Sequence, residues 1–289
     1  MDVVTTVGRD WWSWSSAHGG RLASLALGAA RGAAGTGHTP RSLTVNFLSA
    51  VTDEPLLLRP VPVRVSRGAS VITVESEHRG TRPLLATATF GAPREGREVE
   101  ADAPAAAPEP DECKPLDFLD AHFAVLRNVE MRAVGPLPLS GAPEADLRAW
   151  VRYRDGRPLD AEAATVLTDV LPCGVYALAD AVFAAPTVDM TLHYAPGAET
   201  PPASPWALCR IRTRRAANGW AVDDSEVRDA EGRLLVLGRQ SRRLLERTTG
   251  QGGLERTGHD APPPPVTNSP GAAGTVPTAP VTNSPGAAG

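Results

Sequence analysis

Two kinds of apolar periodicity alternate along the chain, and each occurs twice. From Arg21 to Ala34, Leu22, Leu25, Leu27 and a set of alanines lie on nearly every side of a helical wheel, with Arg21, Ser24 and Arg31 the only polar side chains. A helix that is apolar all round is a buried helix. After Gly35-Thr-Gly37 and Pro40 the period shortens to two, with Leu43, Val45 and Phe47, then Val61, Val63 and Val65, then runs over 70–77 and 84–90. Arg67-Gly68 and Arg79-Gly80 supply the turns that make hairpins of these runs. The pattern predicts one buried helix followed by an antiparallel meander, that is, a sheet curled around a helix.

The same plan recurs further on. Residues 147–153 alternate as a strand, Asp155-Gly156 is a turn, 159–171 is helix-like up to Pro172, and 187–194 alternates again. Leu43-Thr-Val-Asn-Phe47 matches Met190-Thr-Leu-His-Tyr194 in character, and Leu84-Leu85-Ala86 after Gly80 matches Leu234-Leu235-Val236 after Gly232. These matches predict an internal duplication, an α+β chain in which two helix-in-sheet units pack as a pseudo-dimer. The Pro/Ala/acidic stretch over 93–112 reads as a linker between units at 8–92 and 113–245. Beyond them the composition turns to Gly, Pro, Ala, Ser and Thr, and Pro-Val-Thr-Asn-Ser-Pro-Gly-Ala-Ala-Gly occurs at Pro265 and again at Pro280. Residues 246–289 therefore read as a low-complexity tail with too little apolar surface to offset its ordering entropy.

Charge and cysteine content narrow the function classes. Lys+Arg 29 against Asp+Glu 33 gives a net charge of −4, which argues against nucleic acid and anionic lipid surfaces as partners. Residues 1–14 lack an apolar signal core and no run is long enough to span a bilayer, so a soluble cytoplasmic protein is expected. Cys113, Cys173 and Cys209 are odd in number and unpaired by spacing, supporting neither a disulfide framework nor a zinc site. No metal and no cofactor are expected. No serine or cysteine is visibly set beside a histidine base.

Four segments in order around the duplicated unit carry a resemblance. His18-Gly-Gly-Arg-Leu-Ala, Arg41-Ser-Leu-Thr-Val-Asn-Phe-Leu48, Asp155-Gly-Arg-Pro-Leu-Asp160 and Pro186-Thr-Val-Asp-Met-Thr-Leu-His-Tyr194 together resemble the acyl-CoA thioesterase II (TesB-like) double hotdog family. The resemblance covers about residues 8–245 and implies two hotdog domains and hydrolysis of fatty acyl-CoA to free acid and coenzyme A. It implies further that an Asp late in the second hotdog helix, a Thr opening the next strand and a Gln on the last strand hold the attacking water. Thr187 and Gln240 match the last two. Asp169, just before Pro172, matches the first, with Asp180, seven residues before Thr187, left as the competing carboxylate. The connection over 177–185 is shorter than the family pattern. Acyl-CoA is the partner so implied, and the oligomeric state stays open, a homo-oligomer included.

The chemistry suits these residue types. A thiol of pKa about 8.5 leaves as thiolate with little help, so water is the partner that must be activated. A carboxylate accepts its proton, while an amide and a hydroxyl aim it. Amides at the start of a buried helix would receive the oxyanion, with Gly19 and Gly20 letting substrate come close and His18 beside them as a substrate-binding or turn residue. Phe90 occupies in the first unit the position Gln240 takes in the second, and Leu27 takes the place where the resemblance to single-domain hotdog thioesterases implies an acidic residue, so one site per chain is expected. Trp11, Trp12 and Trp14 read as lid, pocket edge or core, and Arg212, Arg214 and Arg215 as a phosphate contact or a solvated face. Asp117 and His122 have the spacing of hotdog hydratases without the surrounding motif. A non-catalytic acyl-thioester-binding or assembly protein is the rival reading.

Overall fold

Alanine and glycine along the first helix leave it slim enough to be wrapped. In the computed structural model, which describes residues 1–99, 106–116 and 123–245, α1 runs Gly19–Arg31 and buries Leu22, Ala23, Ala26, Leu27, Ala29 and Ala30. It stops three residues short of the predicted end, where Gly32 opens tight turns that carry Ala33 and Ala34. Three short strands lie N-terminal to it, β1 (Val3–Thr5), β2 (Trp12–Ser13) and β3 (Ser16–Ala17). The meander follows as β4 (Thr39–Phe47), β5 (Leu56–Val65), β6 (Ala69–Glu77) and β7 (Leu84–Gly91). Between β6 and β7, Arg79 (φ 52°) and Gly80 (φ 73°) both take positive φ, the geometry of a primed two-residue turn, closed by paired bonds between His78 and Thr81.

The second half comprises β8 (Val129–Ala133), β9 (Asp146–Tyr153), α2 (Ala161–Leu167), β10 (Thr187–Tyr194), β11 (Ala207–Ala217), β12 (Trp220–Asp229) and β13 (Leu234–Arg243). One antiparallel sheet of eleven strands holds both halves in the order β1-β5-β6-β7-β4-β10-β13-β12-β11-β9-β8. The strand after each helix meets its counterpart, β4 on β10, with Leu43 opposite Leu192, Val45 opposite Met190, and the Thr44 and Thr191 hydroxyls 3.2 Å apart. This is the double hotdog fold. A second join is ionic, since Arg31 at the end of α1 makes forked pairs with Glu162 in the first turn of α2 and with Glu199. Burial works against that guanidinium's charge, but the two carboxylates outweigh it and raise its pKa.

Three expectations need adjusting. Leu43 faces Ala88 on β7 as Leu192 faces Gly238 on β13, so the repeat aligns Leu43 with Leu192 rather than with Met190. A slip of two residues preserves every face of a strand, which is why the sequence pattern concealed it. On β5 the buried residues are Leu56, Leu58 and Pro60, whereas Val61, Val63 and Val65 face solvent on a stretch that β1 does not reach. Finally, α2 ends at Leu167 instead of 171, where the Asp169 amide turns to the Val166 carbonyl three residues back and the Thr168 hydroxyl donates to the Thr165 carbonyl. Its start is fixed by Asp160, whose carboxylate accepts from the Ala163 amide at 2.8 Å. No helix among the described residues is long and apolar enough to cross a membrane. The tail at 246–289, Asp117 and His122 lie outside the described residues.

Candidate functional site

The early end of α2 puts Asp169 in a turn, 7% exposed, against the start of α1. Its Oδ1 accepts from Arg242 Nη2 at 2.7 Å, and its Oδ2 accepts from the Gly20 amide at 2.9 Å. His18 Nε2 stands 2.9 Å from the Asp169 main-chain oxygen and 3.3 Å from Oδ2. Nε2 is therefore the donor nitrogen of this ring, and Nδ1 is buried without a partner among the described residues. Gly20 is required for this approach, since a Cβ there would lie 2.8 Å from the Val166 carbonyl oxygen and 3.0 Å from Asp169 Cβ. At Gly19 a Cβ would come 3.0 Å from Asp169 Oδ2. The missing side chains make room for the other half of the chain.

Along the inner face of β13, Gln240 and Arg242 follow one another at the strand period. Gln240, 0% exposed, donates from Nε2 to the Thr168 carbonyl at 3.2 Å and accepts at Oε1 from the Thr187 hydroxyl at 3.2 Å. Arg242 Nε lies 3.0 Å from Asp223 Oδ2, and Asp223 Oδ1 accepts from the Thr213 hydroxyl at 2.6 Å. Burial would lower the pKa of Arg242, but Asp169 and Asp223 overcome it and hold it above its ordinary value. The three expected residues thus lie in one polar chain. Thr187 and Gln240 are directly bonded, Gln240 reaches the residue before Asp169, and no direct bond joins Asp169 to Gln240 or Thr187 among the described residues. Asp180 is exposed on a loop.

Sequence reading missed Arg242, Asp223 and Thr213. The available signal was parity, because Val236, Gly238, Gln240 and Arg242 share the inward face of β13, and Gln240 is in register with Asp223 on β12. Counting from the two helix caps, His18 and Asp160, places Leu27 where Asp169 stands, and strand register places Phe90 and Ile72 where Gln240 and Ser225 stand. All three first-half residues are fully buried and apolar.

Other candidates fall elsewhere. Arg212 and Arg214 lie on the outer face of β11, lining a groove of about 690 Å³ with Asp224, Arg239 and His193, on the opposite side of the sheet from Thr213 and Asp223. Arg215 is exposed. Trp11 is buried, Trp12 donates from its indole to the Val7 carbonyl, and Trp14 meets Phe123 edge-on. One serine does stand beside a histidine, since Ser70 Oγ is 3.0 Å from His38 Nδ1, which corrects the expectation from sequence. Ser70 is 0% exposed and also receives the Gly35 amide, so the pair is packing within the first half. Burial pushes the Cys173 thiol up to about 12, away from nucleophile chemistry. Among the described residues no cluster of His, Cys, Asp and Glu could hold a metal ion.

Two family models match this arrangement, the acyl-CoA thioesterase N-terminal domain over residues 8–91 and the acyl-CoA thioesterase C-terminal domain over 110–243. The chain belongs to the acyl-CoA thioesterase family. It is a thioester hydrolase of the double hotdog, TesB-like type. No curated protein matches it. Among solved structures, a hot dog fold protein of unknown function from Alicyclobacillus acidocaldarius is similar at TM-score 0.80 and 23% identity, covering 86% of this chain and 94% of that one. Acyl-CoA thioesterase II TesB2 from Mycobacterium marinum is similar at TM-score 0.68 and 19% identity, covering 86% and 94%. The tesB protein of Mycobacterium avium subs paratuberculosis gives TM-score 0.69 and 19% identity, covering 85% and 93%. At these identities the structural likeness shows the fold.

Proposed function

We propose that this acyl-CoA thioesterase hydrolyses fatty acyl-CoA to free acid and coenzyme A by direct attack of a water held by Asp169, Gln240 and Thr187. The observation that carries the reading is the asymmetry of the duplicated interior. Asp169, Gln240 and Ser225 stand where the first half has Leu27, Phe90 and Ile72, and a fold that needed only packing would keep the apolar set.

A carboxylate offers about four lone-pair sites. Oδ2 of Asp169 faces Gly20 and His18, while among the described residues Oδ1 receives only Arg242. The open site is therefore on Oδ1, toward β13, where a water can give up its proton while Gln240 and Thr187 direct its oxygen at the thioester carbonyl. Arg242 keeps the carboxylate in place and balances its charge. Since the Gly20 amide is taken by Asp169, the Gly19 amide is the first-turn donor proposed for the developing oxyanion. The C–S bond then breaks and coenzyme A leaves as its thiolate.

The test is thiol release from a panel of acyl-CoAs of different length and branching. Steady release with no burst equal to the enzyme concentration is expected. Binding of acyl-CoA with no release by any member would favour the non-catalytic acyl-thioester-binding reading, and a trapped acyl-Ser or acyl-Cys adduct would replace the direct-water mechanism.

A further inference from the structure

Arg21 is a half-buried guanidinium in unfavourable company. Its charge centre stacks 4.9 Å from the centroid of the Trp11 ring, and Arg157 stacks on the same ring at 5.3 Å and on Tyr153 at 5.0 Å. Arg157 has a carboxylate, the forked partner Asp155. Arg21 makes no ion pair or side-chain hydrogen bond among the described residues, and Asp10 acts on it only at a distance. Burial first, and then repulsion by Arg157, lowers its pKa. Stacking on the ring favours both guanidiniums, but Asp155 is paired with Arg157 and Asp10 makes no ion pair with Arg21, so the Arg21 fork is open to an anion from outside.

The position fits the substrate side of the site. The Trp11 carbonyl accepts from the His18 amide at 2.9 Å, the His18 ring touches Asp169, and Arg21 follows directly after Gly20, whose amide holds Asp169. The indole carrying both arginines is thus fastened to the site by one residue. The Arg212 and Arg214 pair lies on the opposite face of the sheet and cannot serve this site.

We infer that Arg21, with Arg157 and the Trp11 ring, forms an anion site for the phosphate that ends the pantetheine arm of the thioester substrate. The inference rests on the thioesterase reading for the placement of that substrate. The shared chemistry is a phosphate ester, which coenzyme A and carrier-borne phosphopantetheine both carry. A guanidinium freed from any internal partner offers its whole fork to phosphate oxygens, and the ring fixes its plane in advance.

The experiment compares wild type with Arg21→Met, Arg21→Lys and Arg157→Met on the same acyl group presented as acyl-CoA, acyl-phosphopantetheine and acyl-pantetheine. For Arg21→Met, KM for acyl-CoA should rise about tenfold with kcat within about twofold, as expected for loss of one charge-assisted contact. Arg21→Lys should fall between, and acyl-pantetheine, which lacks the phosphate, should show the same KM with every variant. An effect on acyl-phosphopantetheine equal to that on acyl-CoA assigns the site to the phosphate nearest the arm, and an effect on acyl-CoA alone assigns it to the nucleotide phosphates. The melting temperature of Arg21→Met should stay level or rise, because a repulsion is removed. A lower melting temperature with unchanged KM would make Arg21 a packing residue and overturn the inference. Equal KM shifts for acyl-CoA and acyl-pantetheine would overturn it too. If no thioester is turned over, the thioesterase reading fails, and direct calorimetric titration of coenzyme A into wild type and Arg21→Met then decides the anion site on its own.

Discussion

Replacing Asp169 by Asn should cost both folding stability and turnover, and the structure sets the size of each. In the folded chain one oxygen faces Arg242 Nη2 at 2.7 Å and the other faces the Gly20 amide at 2.9 Å, all inside the protein. An asparagine of the same shape meets a donor with its NH2 whichever way it is turned, against Gly20 in one orientation and against Arg242 in the other. Removing one charge of a buried pair costs about 3–5 kcal/mol. Asp223 remains 3.0 Å from Arg242 Nε as a second counter-ion, which places the loss near the lower end. At about 2–4 °C per kcal/mol for a folded region of this size, the melting temperature should drop by roughly 6–12 °C. Turnover should fall on the order of 10²–10³-fold if the carboxylate takes the proton from water. Thr187→Val supplies the contrast, since it removes one neutral hydrogen bond worth about 0.5–1.5 kcal/mol yet should lower kcat strongly. Thermal melts by circular dichroism and thiol-release kinetics on the same samples give both numbers. An Asp169→Asn protein that melts as worked but turns over normally would reduce Asp169 to an ion-pair partner. One that melts within a degree or two of wild type would refute the buried pair itself. Asp180→Asn, on its exposed loop, should change neither quantity.

Two further outcomes follow from shifted ionisations. Burial holds the Cys173 thiol up to about 12, so iodoacetamide at neutral pH should leave it unmodified in the native protein and label it in denaturant, and rapid native labelling would contradict its placement in the core. Arg152 first, and then Arg132, hold the Glu130 carboxyl below its ordinary value. A carboxyl depressed by folding stabilises at pH above its unfolded value of about 4.3 and loses that contribution as pH falls through the folded value. The melting temperatures of wild type and Glu130→Gln should therefore differ at neutral pH and converge as pH falls through the depressed folded value, and a gap that widens in acid would reverse the assignment.

Elements with a clean period were legible in the sequence. The apolar wheel of α1, the alternations of β4, β6, β7, β9 and β10, and the Arg79-Gly80 turn all stand where their residue patterns put them. The duplication implied two helix-in-sheet units packed as a pseudo-dimer, but not that β4 and β10 would pair to join them in one sheet. The end of α2 was less legible because the apolar period continues through Leu171 while the hydrogen bonds tighten to a turn at Asp169, and periodicity does not register that change. Of the site, Asp169, Thr187 and Gln240 were reached through family resemblance together with the polar-for-apolar contrast between repeats. Arg242 was hidden in the charged run Arg239–Arg243, where alternate residues point to opposite faces and composition alone cannot say which are inside. Asp223 was hidden beside Asp224 for the same reason, one facing the core and the other pairing with Arg214 and Arg239 on the outer face.

The divergence of the two halves has an energetic logic. A connected buried chain of charges such as Asp223, Arg242 and Asp169 contributes little net stability, since desolvation consumes most of the attraction. The first half has fully buried Leu27 in the place of Asp169 and Phe90 in the place of Gln240 and gains ordinary apolar burial there, while Ser70, in the place of Asp223, stays polar. Pairing β4 with β10 and clamping Arg31 onto Glu162 and Glu199 lets the stable half support the polar one. The dependence runs in the other direction as well. Gly20 and His18, which occupy one oxygen of Asp169, come from the first half, while Arg242, Gln240 and Thr187 come from the second. The first half is thus a structural wall of the site as well as a scaffold, and a chain divided between β7 and β8 would leave Asp169, in the second fragment, without Gly20 and His18.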